Sequence, residues 1–129
     1  MTGDYRSDYI AYRVRNAKDA LLAAKLLTDN KLWNASMNRL YYACFYMVSA
    51  LLYAKQITAK THNGVRTQLG IHFIQTGLLP RKYGEIYANL LDWRNKGDYG
   101  DFFDLDESSV ITMIPAVEEF MNTIEKLLL

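Results

Sequence analysis

The chain has 129 residues, enough for one domain whose core buries roughly 65 to 70% of the surface exposed by the unfolded polypeptide. Half of the residues are hydrophobic and 22% are charged, with seven Gly and two Pro, which excludes a disordered or fibrous chain. Net charge is only +1, yet residues 1–80 hold ten Lys and Arg against four Asp and Glu, and residues 81–129 hold five against ten; the surface then carries either one basic and one acidic side or scattered solvated charges.

The apolar residues recur at spacings of three and four, which predicts helix nearly throughout. The first helix is expected from about Asp8 to Leu27, with Ser7 or Asp8 at its start, Ile10, Val14, Ala17, Leu21, Ala24 and Leu27 as its stripe, and Asn30 as its stop. The second, about Leu32 to Lys55, is apolar nearly all round and should be central. Its small residues Ala43 and Ala50 admit a close neighbour. Arg39 shares a face with Tyr42 and Tyr46, and a charge beside buried rings needs an anion, either a structural carboxylate or a ligand.

A connector leads to a shorter helix, His62 to about Gln75, which Thr61 can cap and Gly77 can follow in a left-handed conformation. Lys60 and His62 then lie near the positive end of that helix. The fourth helix should start at Pro80, carry Tyr83, Ile86, Leu90, Leu91 and Trp93 to Arg94, and break at Gly97. Residues 98–105 read as an acidic, aromatic turn, after which Asp106 opens a last helix through Leu128, with Pro115 as a potential kink. The resulting fold class is all-α: one domain over residues 1–129, an antiparallel up-and-down bundle of four main helices plus one short helix.

No apolar run approaches the roughly 20 residues of a membrane-spanning helix, and residues 1–15 lack the apolar stretch of a signal peptide. Cytoplasmic residence with no membrane partner is the expectation. Cys44 is the lone cysteine, which excludes an internal disulfide and points to a buried thiol. His62 and His72 are too few, and Asp98, Asp101, Asp104 and Asp106 lack calcium-loop spacing, so neither a metal nor a cofactor is expected. Phosphate-binding glycine loops are also absent.

Most of the chemistry in the sequence lies at Arg94-Asn95-Lys96-Gly97-Asp98-Tyr99-Gly100-Asp101. A guanidinium suits a phosphodiester, because its planar fork donates paired hydrogen bonds and stays charged. Arg94, Asn95, Arg39 and Lys60 are therefore the candidate ligand-binding residues.

In their order and spacing, Asn38-Arg39-Leu40-Tyr41-Tyr42-Ala43, Lys60-Thr61-His62-Asn63-Gly64-Val65 and the Arg94 to Asp101 segment together resemble the HEPN family (higher eukaryotes and prokaryotes nucleotide-binding domain), in its small prokaryotic single-domain branch. The resemblance covers nearly the whole chain. It implies a helical bundle that forms a homodimer and binds nucleotide or RNA. Many members are metal-independent ribonucleases with an Arg followed a few residues later by a His. Arg94 and Asn95 match the start of that motif, but Tyr99, Gly100 and Asp101 stand where its histidine would fall, and no His comes after them.

Cleavage of RNA through its own 2′-hydroxyl needs a base and an acid, which arginine does not supply. Arg94 remains the candidate catalytic charge stabiliser, with His62 the one residue considered for the missing proton carrier; otherwise His62 is a capping or hydrogen-bonded histidine. The resemblance further implies a partner, a minimal nucleotidyltransferase, in a toxin-antitoxin-like pair. By the same resemblance Tyr99 is a possible site of modification by AMP, the alternative being a packed ring with its hydroxyl in water. A purely structural interaction module is the remaining alternative.

Overall fold

The computed structural model describes residues 2–99 and 104–128, with side chains over residues 6–96 and 104–128. Its five α-helices are, in chain order, α1 (Thr2–Asp29), α2 (Trp33–Ala54), α3 (His62–Leu69), α4 (Arg81–Tyr99) and α5 (Glu107–Leu127). A single π-helical turn, Gly70–Ile74, continues α3. No strand occurs among the described residues, and none of their helices is long and apolar enough to cross a membrane.

Helix α2 is the axis of the bundle and packs against all four others. Its surface explains this: Met37, Leu40, Tyr41, Ala43, Cys44, Met47, Val48, Ala50 and Leu51 are all essentially inaccessible. The most extensive pairing is α1 with α2. Both helices bury small residues, Ala17, Ala20 and Ala24 on α1 and Ala43 and Ala50 on α2, which lets two backbones approach closely. Where α1 turns into α2, Ser36 is buried but satisfied: its hydroxyl donates to the Ala24 carbonyl at 2.8 Å and lies 2.7 Å from that of Thr28. Cys44 is a buried free thiol, and burial pushes its pKa well up, so it is inert.

The expected bundle is present, with local differences. Helix α1 begins at Thr2, earlier than its apolar stripe, because the polar residues ahead of Asp8 need no buried face to continue a helix. The short helix changes to a π-turn at Gly70, where the Gln75 amide donates to the Gly70 carbonyl at 2.8 Å. Gly77 has φ +82°, the left-handed conformation expected of it. Gly97 does not break α4, which continues to Tyr99; one glycine costs a helix only about 1 kcal/mol relative to alanine.

Asp106 caps α5 as expected, its carboxylate accepting from the Ser109 amide at 2.8 Å; the Ser109 side chain first, and then this amide, hold its pKa below the ordinary value. Helix α5 runs on through Pro115. Ile111, one turn earlier, is exposed, so the carbonyl that Pro115 leaves unbonded is on the solvent side. Asn34 fixes the chain entering α5: its side-chain oxygen accepts from the Leu105 amide at 2.8 Å and its nitrogen donates to Asp104 at 3.3 Å.

Candidate functional site

Helices α2, α3 and α4 bring one residue group together. On α2, Tyr41 faces the interior and Tyr42 sits beside it, their rings edge to face with centroids 5.2 Å apart. On α4, Tyr87 and Arg94 are seven residues apart, so they share a face two turns along the helix. Thr61 caps α3 by accepting from the Gly64 amide at 2.8 Å, which sets His62 at the first helical position, facing α2.

Arg94 and His62, far apart in sequence, meet on the two tyrosines. The Arg94 guanidinium lies 5.9 Å from the Tyr41 ring and 5.7 Å from that of Tyr42, and donates through Nη2 to the Tyr42 hydroxyl at 3.2 Å. His62 packs against the same two rings, at 5.6 and 5.9 Å, and against Phe45 at 4.6 Å. Its Nδ1 is 2.6 Å from the Tyr41 hydroxyl, which is in turn 3.4 Å from the hydroxyl of the fully buried Tyr87. The cluster is therefore a line of three hydrogen-bonding groups, Tyr87, Tyr41 and His62, with a guanidinium laid alongside.

The electrostatics arise from burial and from Arg94. Desolvation, and after it the positive charge of Arg94, lowers the His62 pKa from its ordinary 6.5, so the ring is neutral near pH 7. Burial pushes the Tyr41 phenol up to about 12, against smaller lowering by its hydrogen bond to Tyr87 and by Arg94. Burial likewise raises Tyr87 strongly. Both phenols keep their protons. If Tyr41 donates toward Tyr87, its oxygen is left to accept from Nδ1–H of His62, and Nε2 becomes the bare, basic nitrogen of the ring.

The other expected site residues take different places. The sequence pattern around Arg39 calls for either a carboxylate or a ligand. Among the described residues Arg39 meets no carboxylate; Asn38 Oδ1 accepts from its Nε and Nη2 at 3.2 and 2.9 Å, and its guanidinium lies 4.7 Å over Tyr42. A neutral amide and a ring face thus hold it, and Arg39 and Arg94 line a common cleft of about 310 Å³. Asn95 orients Arg94, its Oδ1 accepting from Nη1 at 3.2 Å. Lys60 is exposed and lines a separate groove together with His62. Tyr99 closes α4; its side chain and that of Asp98, together with Gly100 and Asp101 of the same motif, lie outside what the structure describes.

Tyr41, Tyr87 and Phe45 join the cluster without having stood out in the sequence as site residues. The available signal is the seven-residue spacing from Tyr87 to Arg94, which puts a phenol on the arginine's face of α4. Among the described residues no group of His, Cys, Asp and Glu side chains could hold a metal ion.

A helical bundle with an arginine and a histidine gathered on a Tyr-Tyr pair defines a small all-α domain with a cationic, aromatic centre. The sequence model of the HEPN domain matches residues 10–127, and the chain belongs to that family. It is similar to a "UPF0332 protein" of Thermotoga maritima, 39% identical over 92% of this chain and 90% of the relative. It is also similar to "Putative toxin MJ0605" of Methanocaldococcus jannaschii, 35% identical over 87% of this chain and 83% of the relative. A second protein of that organism, "Putative toxin MJ0142", is 27% identical over 90% of this chain and 79% of its own length.

Proposed function

We propose that this HEPN protein is toxin-like and acts on RNA, with the phosphate of the nucleotide chain bound at Arg94 beside Arg39. The observation that carries the reading is Arg94 itself: α4, Asn95 and the Tyr42 hydroxyl hold its fork in one orientation over an aromatic pair. The names of the two Methanocaldococcus relatives support the toxin-like part. Fluorescence polarisation with short single-stranded RNAs and free nucleotides tests it. Arg94→Ala should weaken binding at least tenfold, about the effect of losing one charged hydrogen bond pair; equal affinity of the variant for every ligand removes Arg94 from the site.

A second reading, cleavage of the bound RNA without a metal, is favoured by the meeting of His62 with Arg94 on Tyr41 and Tyr42. His62 then removes the 2′-hydroxyl proton through Nε2, the 2′-oxygen bonds to phosphorus, the bond to the 5′-oxygen breaks and that oxygen takes a proton from water, while the guanidinium stabilises charge developing on the phosphate oxygens. Cleavage should persist in EDTA and fall by about two orders of magnitude or more in His62→Ala. An inert purified protein excludes this reading and leaves the binding reading standing.

The partner in this proposal is a minimal nucleotidyltransferase, and the support for it is the family resemblance. In such a pair the Tyr99 phenol gives up its proton to solvent, its oxygen attacks the α-phosphorus of ATP, the bond to the β-phosphate oxygen breaks, and pyrophosphate leaves. An AMP-sized mass increase on the Tyr99 peptide after co-expression with a minimal nucleotidyltransferase is the expected result. The absence of a nucleotidyltransferase gene beside this one counts against the pair.

A further inference from the structure

His62 belongs to two features at once. Its Nδ1 is tied to Tyr41 in the Arg94 cluster, while its ring also lines a groove of about 390 Å³ formed by α1, α2 and the connector before α3. The groove has a distinctive composition. Arg13, Lys60 and His62 line it, as do the rings of Tyr9, Phe45 and Tyr53, and no Asp or Glu does. Neither Arg13 nor Lys60 makes an ion pair among the described residues, in a molecule where lysines of α1 and α4 do pair with glutamates.

Arg13 is held in place by rings and a hydroxyl. Its Nε donates to the Tyr9 hydroxyl at 3.0 Å, and its guanidinium lies 5.4 Å from the Tyr9 ring and 5.6 Å from that of Tyr46. Tyr9 is itself braced against Tyr53, centroids 4.4 Å apart, and His62 against Phe45 at 4.6 Å. A fixed guanidinium, an exposed ammonium and supported ring faces, with no carboxylate among them, match the two halves of a nucleotide: phosphate on the cations and base on the rings. The cavity size is within the range of small-molecule sites.

We infer that this groove is a second subsite, which seats a nucleotide unit of single-stranded RNA adjoining the one whose phosphate is at Arg94, with Arg13 and Lys60 on its phosphate and Tyr9, Phe45 or Tyr53 under its base. The inference rests on the RNA-binding reading of Arg94. His62, common to both features, is the point past which the strand runs from one subsite into the other.

The test is binding of a fluorescein-labelled mononucleotide, trinucleotide and hexanucleotide of RNA to the full-length protein, its Arg13→Gln and Lys60→Gln variants, their double variant and Arg94→Ala. Wild-type affinity should rise about tenfold or more from mononucleotide to hexanucleotide, the increment one stacked base supplies. The double variant should lose most of that increment, and Arg94→Ala should weaken every length. Arg13→Gln and Lys60→Gln both lie on exposed or half-exposed side chains, and helical circular dichroism matching the wild type identifies folded variants. If the double variant keeps the full length increment, the groove is not a subsite and the Arg94 reading stands. If the mononucleotide itself is lost in the double variant but not in Arg94→Ala, the groove is the sole site and the shared-strand inference fails. If no RNA of any length binds, both readings fall.

Discussion

The Tyr41 hydroxyl stands 2.6 Å from His62 Nδ1 and 3.4 Å from the Tyr87 hydroxyl, so a single oxygen links a half-buried ring to a fully buried phenol. Removing it strands both neighbours. Tyr41→Phe should therefore lower stability by about 1–3 kcal/mol, the cost of leaving buried polar groups unpaired, whereas Tyr87→Phe leaves Tyr41 bonded to His62 and should cost about 0.5–1.5 kcal/mol. Urea unfolding of the two variants checks the order; equal losses would mean that the line of hydroxyls is not coupled.

His62 gives the same cluster a pH dependence. Its folded pKa is lowered by burial and by Arg94, so the unfolded chain binds the proton more readily than the folded one. The associated stability is fully present above the ordinary value of 6.5, and is lost progressively as pH falls from there through the lowered folded value. Melting temperature measured against pH should decline in acid less steeply for His62→Gln than for the wild type. Identical slopes would place His62 in an environment that does not favour its neutral form.

At the scale of elements, the cap of α3 is what presents His62 to α2. Thr61→Ala removes the acceptor for the Gly64 amide, should cost about 1 kcal/mol, and should weaken any activity that needs His62 while leaving phosphate binding at Arg94 in place. Thermal melting together with paired RNA-binding and cleavage assays separates those effects. This cap, the Asp106 cap and the left-handed Gly77 were legible in the sequence, because each depends on a residue type within a few positions of its effect. The apolar spacing likewise specified the long helices. Gly97 was misleading for the complementary reason: a glycine in a helix carries only a modest penalty, and α4 runs past it. The site was legible only in its parts. Arg39 stood out as a charge beside an aromatic sector, Arg94 as the arginine closing an apolar run and His62 as a histidine at the start of a short helix, but Tyr87 is one of ten tyrosines, and its bond to Tyr41 spans 46 positions. Nor could residue types distinguish a carboxylate from the adjacent Asn38 amide and the Tyr42 ring as the groups that hold Arg39. Such contacts depend on how α2 and α4 pack, which local patterns do not encode.

Across the whole molecule, some cations meet carboxylates and others do not. Glutamates of α5 are engaged by lysines from elsewhere: Glu125 by Lys18, Glu118 by Lys25 and Glu119 by Lys82. These exposed pairs add little stability, but they occupy acidic side chains on α5. Arg13, Arg39 and Lys60, cations of the two candidate subsites, make no ion pair among the described residues, and Arg94 lies on the rings of Tyr41 and Tyr42. Binding of an RNA strand there should release counterions, and its affinity should fall with salt, each phosphate neutralised adding about 0.7 to the slope of log affinity against log salt for a single strand. Arg94→Ala should reduce that slope by about one such step. Arg94→Lys supplies the decisive comparison, because an ammonium keeps the charge but cannot reproduce the planar fork that Asn95 and Tyr42 orient. It should restore the salt slope without restoring the affinity, in titrations across a range of chloride concentrations; full recovery of both would mean that Arg94 acts as a point charge and that its fixed orientation is irrelevant to the ligand.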